Sequence, residues 1–418
     1  MKKLLAAFSI RQNFRYLISR PSTNYNVIDG MRAISMLMIL LFHAYTIYII
    51  FTPGLEIEDM LAAGGYAWAW IINSDKSVDV FFVISGFLIT HILLRQIASM
   101  GRIRLSNFYV RRFLRLSPVY YFVIILYWLL LRNLPAANSE NIWANFLYVN
   151  NFLHYKDQAM NWTWTLAIEE QFYLLFPLLL GFLTSKTKSP LFWMWMLWLL
   201  AIVVRYFVIM GDEQISTSPQ SRVASDLDFH AHHFSVLYDN LYTRYSALLS
   251  GCMAAYYYFY HREAVSRFFA APVGKVVIAL GIGTVFLFLI VPVISQRFDE
   301  YQNFNIFYQA VSRNLFSLGL AIWILAAFEE GWVKKVSGVL LGNRLLYPIA
   351  QLSYSMYLVH VVLIIIVVTW AKGLVEQNPE ISHFTAISYV FLISFVLTTL
   401  LAVIMYLLIE RPLMNLRK

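Results

Sequence analysis

The chain has 418 residues, of which 60% are hydrophobic, 17% aromatic and only 13% charged, with a formal net charge of +9. Too little polar surface is available to cover a soluble globule, which excludes a free-standing soluble enzyme or nucleic-acid-binding module. The single cysteine, Cys252, excludes an internal disulfide. The predicted fold class is an all-α integral membrane protein, because hydrocarbon forces every backbone hydrogen bond to close within the chain.

In chain order, residues 1–25 (MKKLLAAFSIRQNFRYLISRPSTNY) come first as a basic cytoplasmic segment on the membrane surface, where anionic lipids are the expected partner. They do not read as a signal peptide: the apolar run is short, more Arg follows it, and no small-residue cleavage site is present. Residues 26–418 then form the membrane domain. Ten apolar runs are legible, at 31–51, 78–97, 117–131, 164–184, 191–210, 240–260, 274–294, 311–328, 349–371 and 384–409. A further run at 141–153 is broken by three Asn and reads as re-entrant or interfacial. With the N-terminus in the cytoplasm, ten alternating helices place most Lys and Arg inside and most Asp and Glu outside, as positive-inside orientation demands. Both termini are then cytoplasmic.

The first run contains only two ionisable residues, Arg32 and His43. Eleven residues at ~100° each return to nearly the same helical face, with ~1.5 Å rise placing the pair about 16 Å apart. Polar groups in hydrocarbon cost free energy, so an aligned pair points to function. Alternatives for the individual residues are an Arg32 that snorkels to the interface and a His43 bonded to a carbonyl.

The second run opens with Asp79, whose position near a helix N-terminus has a dipole explanation, and Ser85 with Gly86 would let another helix pack closely. The following cytoplasmic loop carries Arg104, Arg111, Arg112 and Arg115. If helical, it would lie flat on the membrane with a guanidinium row towards the cytosol. Lipid anchoring accounts for one such Arg; four together also suit the phosphates of a soluble ligand. Residues 161–173 (NWTWTLAIEEQFY) enter the fourth run with Trp162 and Trp164 at the interface and Glu169 and Glu170 about one turn inside. The segment 229–234 (FHAHHF) has no good tetrahedral spacing, and no metal site is expected. His360, eleven residues into the ninth run, is a second buried imidazole candidate, and Cys252 reads as packing.

Taken together, these motifs resemble the membrane-bound acyltransferase 3 family. DGMR at 29–32 followed by His43 is similar to its Arg-x10-His signature. VDVFFVISGF at 78–87, FYVRRFLR at 108–115, WTLAIEEQFY at 164–173 and LSYSMYLVH at 352–360 resemble its later motifs, in the family's order. Ser77 stands where a Gly is common, and Thr165 where Ser is usual. The resemblance covers roughly residues 27–412 and implies the standalone form, without the C-terminal hydrolase-like domain of some relatives.

What the resemblance implies is an O-acyltransferase in the bacterial cytoplasmic (inner) membrane. It would move an acyl group, acetyl above all, from cytoplasmic acyl-CoA to a hydroxyl of an extracytoplasmic carbohydrate such as O-antigen or another envelope glycan. His43 with Arg32 and Glu169 would be catalytic. Arg104, Arg111, Arg112 and Arg115 would bind the donor's phosphates, and Asp79, Glu170 and His360 are secondary candidates. Acyl-CoA is a substrate, not a resident cofactor, and no nucleic acid is expected. The rival class is a proton-coupled transporter or flippase for a glycan or lipid-linked intermediate, but no inverted repeat or paired broken helix supports it.

Overall fold

The computed structural model describes residues 7–21, 25–65, 68–378 and 380–416; Lys2 and Lys3 of the basic N-terminal segment lie outside the described residues. Among the described residues the elements are helical and none is a strand. Eleven helices organise the chain: α1 (Ile10–Ile18), α2 (Asn26–Ile50), α3 (Ser77–Met100), α4 (Leu105–Leu131), α5 (Trp164–Lys186), α6 (Pro190–Gly211), α7 (Leu241–Tyr260), α8 (Pro272–Ile290), α9 (Gln302–Phe328), α10 (Leu346–Gln377) and α11 (His383–Met405). Nine of them are long and apolar enough to cross a membrane. The 20-residue α7 is the long helix outside that set, its apolarity diluted by Arg244 and by Tyr256, Tyr257, Tyr258 and Tyr260.

The chain divides into two compact units. The first comprises residues 1–56, 106–130 and 337–418, hence α1, α2, nearly all of α4, α10 and α11. Here α2 packs against α10 and α11. Gly30 of α2 lies against the backbone of Leu341, where any Cβ would strike the carbonyl. Near the far end of α2, the Tyr48 hydroxyl meets His383 Nδ1 at 3.0 Å, so α2 and α11 run in opposite directions. Helix α1 is capped by Ser9 and buries Asn13, which accepts from Asn415 at 2.9 Å, while Ile10, Phe14 and Ile18 stay exposed at every fourth position. That exposed stripe beside Arg11 and Arg15 suits an interfacial helix.

The second unit comprises residues 57–105 and 131–336, hence α3 and α5 to α9. Helices α3 and α7 cross tightly at Gly86 and Gly251, each of which faces the other helix's backbone with no room for a Cβ. Small residues let the two backbones touch, as Ser85 and Gly86 suggest in the sequence. The contacts Asp79–Arg244 and Gly86–Leu248 give α3 and α7 the same direction. Phe82–Trp164 and Ser85–Glu169 do the same for α3 and α5. With one long helix, α4, between α3 and α5, that shared direction leaves no crossing for residues 141–153.

Those residues fold instead as a short helix, Ile142–Phe146, and a 3-10 turn, Asn150–Phe152. Their Asn side chains act as stitches: Asn145 donates to Thr163 Oγ1 at 3.0 Å and Asn151 to the Asp239 carbonyl at 3.2 Å. Buried amides satisfy loop backbone that hydrocarbon would otherwise leave orphaned.

One element differs from the sequence expectation. The basic loop and the third apolar run are a single helix, α4, which continues through Pro118. No Gly or Asn stop precedes the proline, and apolar residues on both sides keep the helix bonded across the one lost N–H. The Arg row is therefore not a separate flat helix: Arg111, Arg112 and Arg115 ride on the first half of α4, and Arg104 lies before its first residue.

Candidate active site

In the first unit, α2 sets Arg32 and His43 along α10, with His43 beside His360. The first run's alignment carries over: Arg32 and His43 both meet α10. Arg32 Nη2 donates to Ser353 Oγ at 3.0 Å, and that hydroxyl donates to the Ala350 carbonyl at 2.9 Å. About two helical turns further along α10, His360 Nε2 stands 3.3 Å from His43 Nδ1, with the rings edge to face at 78°. The two helices run in the same direction, so the pairs follow in order along both.

Each imidazole has a backbone carbonyl at its Nδ1: Ile39 for His43 at 2.9 Å and Tyr357 for His360 at 2.7 Å. A carbonyl only accepts, so each neutral ring holds its proton on Nδ1 and its lone pair on Nε2. His360 is fully buried, whereas His43 is part-exposed.

Glu410 adds a buried carboxylate to this unit. It lies in the π-helical turn Tyr406–Glu410 that follows α11 and accepts from Ser355 Oγ at 2.7 Å. Arg115, Arg32 and Arg411 act on it electrostatically. Ser353, Ser355 and Glu410 were not singled out from the residues, although Glu410 ends a long apolar run and an ionisable group there is a functional signal. The π-turn that presents it leaves no sequence signature.

The second unit holds Asp79, Glu169, Glu170 and Arg104. Glu169 accepts from Ser85 Oγ at 2.7 Å and from the Tyr173 hydroxyl at 2.9 Å, so both its oxygens are committed and its orientation is fixed. Glu170 is half-buried one residue on. Asp79 does more than follow a helix dipole: Oδ2 accepts from Arg313 Nη1 at 2.6 Å and Oδ1 lies 3.2 Å from Arg244 Nη2. Arg313 also pairs with Asp75. The Tyr238 ring lies 4.8 Å from each guanidinium, and Trp164 covers Arg244 at 5.1 Å. Two arginines inside apolar runs thus complete a buried ion cluster that joins α3, α7 and α9. Arg244 and Arg313 sat in the sequence as intramembrane charges and were missed there because Asp79 was read alone.

The histidines of residues 229–234 go to separate partners. His230 meets the Val223 carbonyl, His232 meets Asp212 Oδ2 at 2.7 Å and His233 meets Gln309 Oε1 at 2.9 Å. Burial holds His233 well below an ordinary imidazole, at about 4, despite the Gln309 contact. Among the described residues no group of three or more His, Cys, Asp or Glu is placed to hold a metal ion.

Comparison with known proteins completes the description. A family profile described as an acyltransferase domain matches residues 25–407. The O-acetyltransferase OatA of Staphylococcus aureus strain NCTC 8325 / PS 47 is 27% identical over 411 residues, covering 92% of this chain and 56% of that protein. OatA of strain COL matches equally, at 27% identity over 92% of this chain. The chain therefore spans about half the length of these curated relatives. No solved structure matches it.

Proposed function

Since the chain belongs to the acyltransferase 3 family, we propose that it is a membrane O-acyltransferase acting on a hydroxyl of an extracytoplasmic carbohydrate. The family match and the O-acetyltransferase relatives support acyl transfer, with acetyl as the favoured group. Acyl-CoA is the proposed donor, with its phosphates on Arg111, Arg112, Arg115 and Arg104; guanidinium forks suit phosphate oxygens. Bacterial inner membrane, anionic lipid at the cytoplasmic face and an envelope glycan acceptor belong to the same reading. Ten membrane crossings with both described ends cytoplasmic is its topology.

A single observation carries the chemistry. The Ile39 carbonyl fixes the His43 proton on Nδ1, leaving the Nε2 lone pair of a part-exposed imidazole as a base in an apolar span. In the transfer step His43 Nε2 takes the acceptor's hydroxyl proton as the oxygen attacks the thioester carbonyl. The carbon–sulfur bond breaks, and the imidazolium returns the proton to the leaving thiolate. The products are an ester and free CoA thiol. Arg32, held by Ser353, supplies fixed positive charge beside the donor. Glu169, held by Ser85 and Tyr173, is the proposed carboxylate for holding the acceptor.

Two measurements test this reading. Purified protein in lipid bilayers, given acyl-CoA labelled in the acyl group, should release CoA thiol and label a glycan acceptor. Mass spectrometry of surface glycan from cells with and without the chain should show the acyl group only where the chain is present. Glycan movement across the bilayer without any acylation would replace the reading with a transporter.

A further inference from the structure

Beyond the base itself, the geometry points to His360 as a positioning residue: its Nε2 lone pair accepts the His43 Nδ1–H and holds His43 as a base at Nε2. This rests on the proposed role of His43. The Tyr357 carbonyl, 2.7 Å from His360 Nδ1, can only accept, so the neutral His360 ring presents a lone pair at Nε2. That atom lies 3.3 Å from His43 Nδ1, whose proton it shares with the Ile39 carbonyl at 2.9 Å. Two acceptors thus converge on one N–H.

The arrangement performs, with a neutral ring, part of the task a carboxylate performs in a hydrolase triad: it reinforces the tautomer that the Ile39 carbonyl sets and supports the imidazolium formed on proton uptake. A neutral partner avoids burying a second charge in the apolar span, where an unpaired carboxylate would cost several kilocalories. The proton stays on His43. Passing it to His360 would leave the His43 Nδ1 lone pair facing the Ile39 carbonyl, acceptor against acceptor. His360 cannot turn away, because it is fully buried, bonded at Nδ1 and packed against Tyr357 with ring centroids 5.3 Å apart. The 3.3 Å contact is loose for the resting ring and is expected to tighten once His43 is charged.

The test compares His360→Leu with His360→Gln in the full-length protein in bilayers, measuring kcat and the KM for acyl-CoA. Leu removes the acceptor; Gln retains one at nearly the position of Nε2. His360→Leu should lower kcat by about 10- to 100-fold, the factor that one hydrogen bond to a charged group carries. KM should stay within about 2-fold, and His360→Gln should recover most of the rate. Equal losses in both variants, a change confined to KM, or unchanged kcat in His360→Leu would each overturn the assignment. Should the Leu variant fail to fold, nitrogen-15 NMR of histidine-labelled wild-type protein decides: His360 Nε2 should be unprotonated and show a coupling across the hydrogen bond to His43 Nδ1, and a proton on His360 Nε2 or no such coupling overturns the inference. Retained transfer in His43→Gln is a different result, because it removes the base and not its partner.

Discussion

At the scale of single residues, carbonyls and hydroxyls fix the direction of each functional group. His43 and His360 take their tautomers from Ile39 and Tyr357, Arg32 its direction from Ser353, and Glu169 its direction from Ser85 and Tyr173. None of these partners is charged. Hydroxyl and carbonyl partners orient a group at little desolvation cost, which suits a site in hydrocarbon. Glu169→Gln keeps size and hydrogen-bonding capacity but loses the negative charge. If Glu169 holds the acceptor, this variant should raise the acceptor KM about 10-fold while leaving the release of CoA thiol to water unchanged, measured with purified protein. Equal acceptor KM in wild type and variant would leave Glu169 a helix-packing residue. Ionisable residues inside apolar runs are conspicuous in the sequence because hydrocarbon makes every charge costly, and Arg32, His43 and Glu169 are legible there as charged or titratable groups. The hydroxyls that hold Arg32 and Glu169 are not, since Ser353 and Ser85 are indistinguishable from packing serines until their helices are set beside their neighbours.

Among the elements, those with a strong apolar period matched the reading of the sequence, and those governed by side-chain pairing did not. Gly86 shows the first case, because a small residue at a crossing acts locally, whereas its counterpart Gly251 was not singled out in the sequence. Helix α4 and the ion cluster of α3, α7 and α9 show the second. Running through Pro118 depends on flanking packing, and pairing Asp79 with Arg244 and Arg313 depends on residues more than 160 positions away. Outside the spans, the helix Leu227–His233 makes its own pH prediction. Its buried His233 titrates at about 4 when folded and near 6.5 when free. As pH falls from 6.5 to 4 the unfolded chain gains a proton that the folded chain refuses. The stability this group contributes is therefore complete above pH 6.5 and lost progressively towards pH 4, by at most about 3 kcal/mol. His233→Gln should flatten that part of the stability–pH curve relative to wild type, as followed by thermal unfolding in detergent. Parallel curves for the two proteins would show that folding leaves the proton affinity of His233 unchanged.

For the whole molecule, charge and hydropathy set orientation before any site forms. In the proposed orientation the surplus of basic residues lies on the cytoplasmic side, and α4 carries part of it as Arg111, Arg112 and Arg115. Arg111 is exposed, so its reversal tests donor binding with little effect on packing. In Arg111→Glu, correctly oriented protein should show a KM for acyl-CoA raised about 10-fold with kcat retained, since one charge-assisted bond is lost and water screens part of it. An unmoved KM would assign this Arg to lipid anchoring. The ten-span, acyl-transferring account rests most heavily on a base within the first span. The most direct measurement is single-turnover acyl transfer from labelled acyl-CoA by wild type and His43→Gln, in bilayers, with membrane insertion shown to be equal. The account predicts a rate lower by about 100-fold or more in the variant, the scale on which a general base acts. A rate within a few-fold of wild type would contradict it.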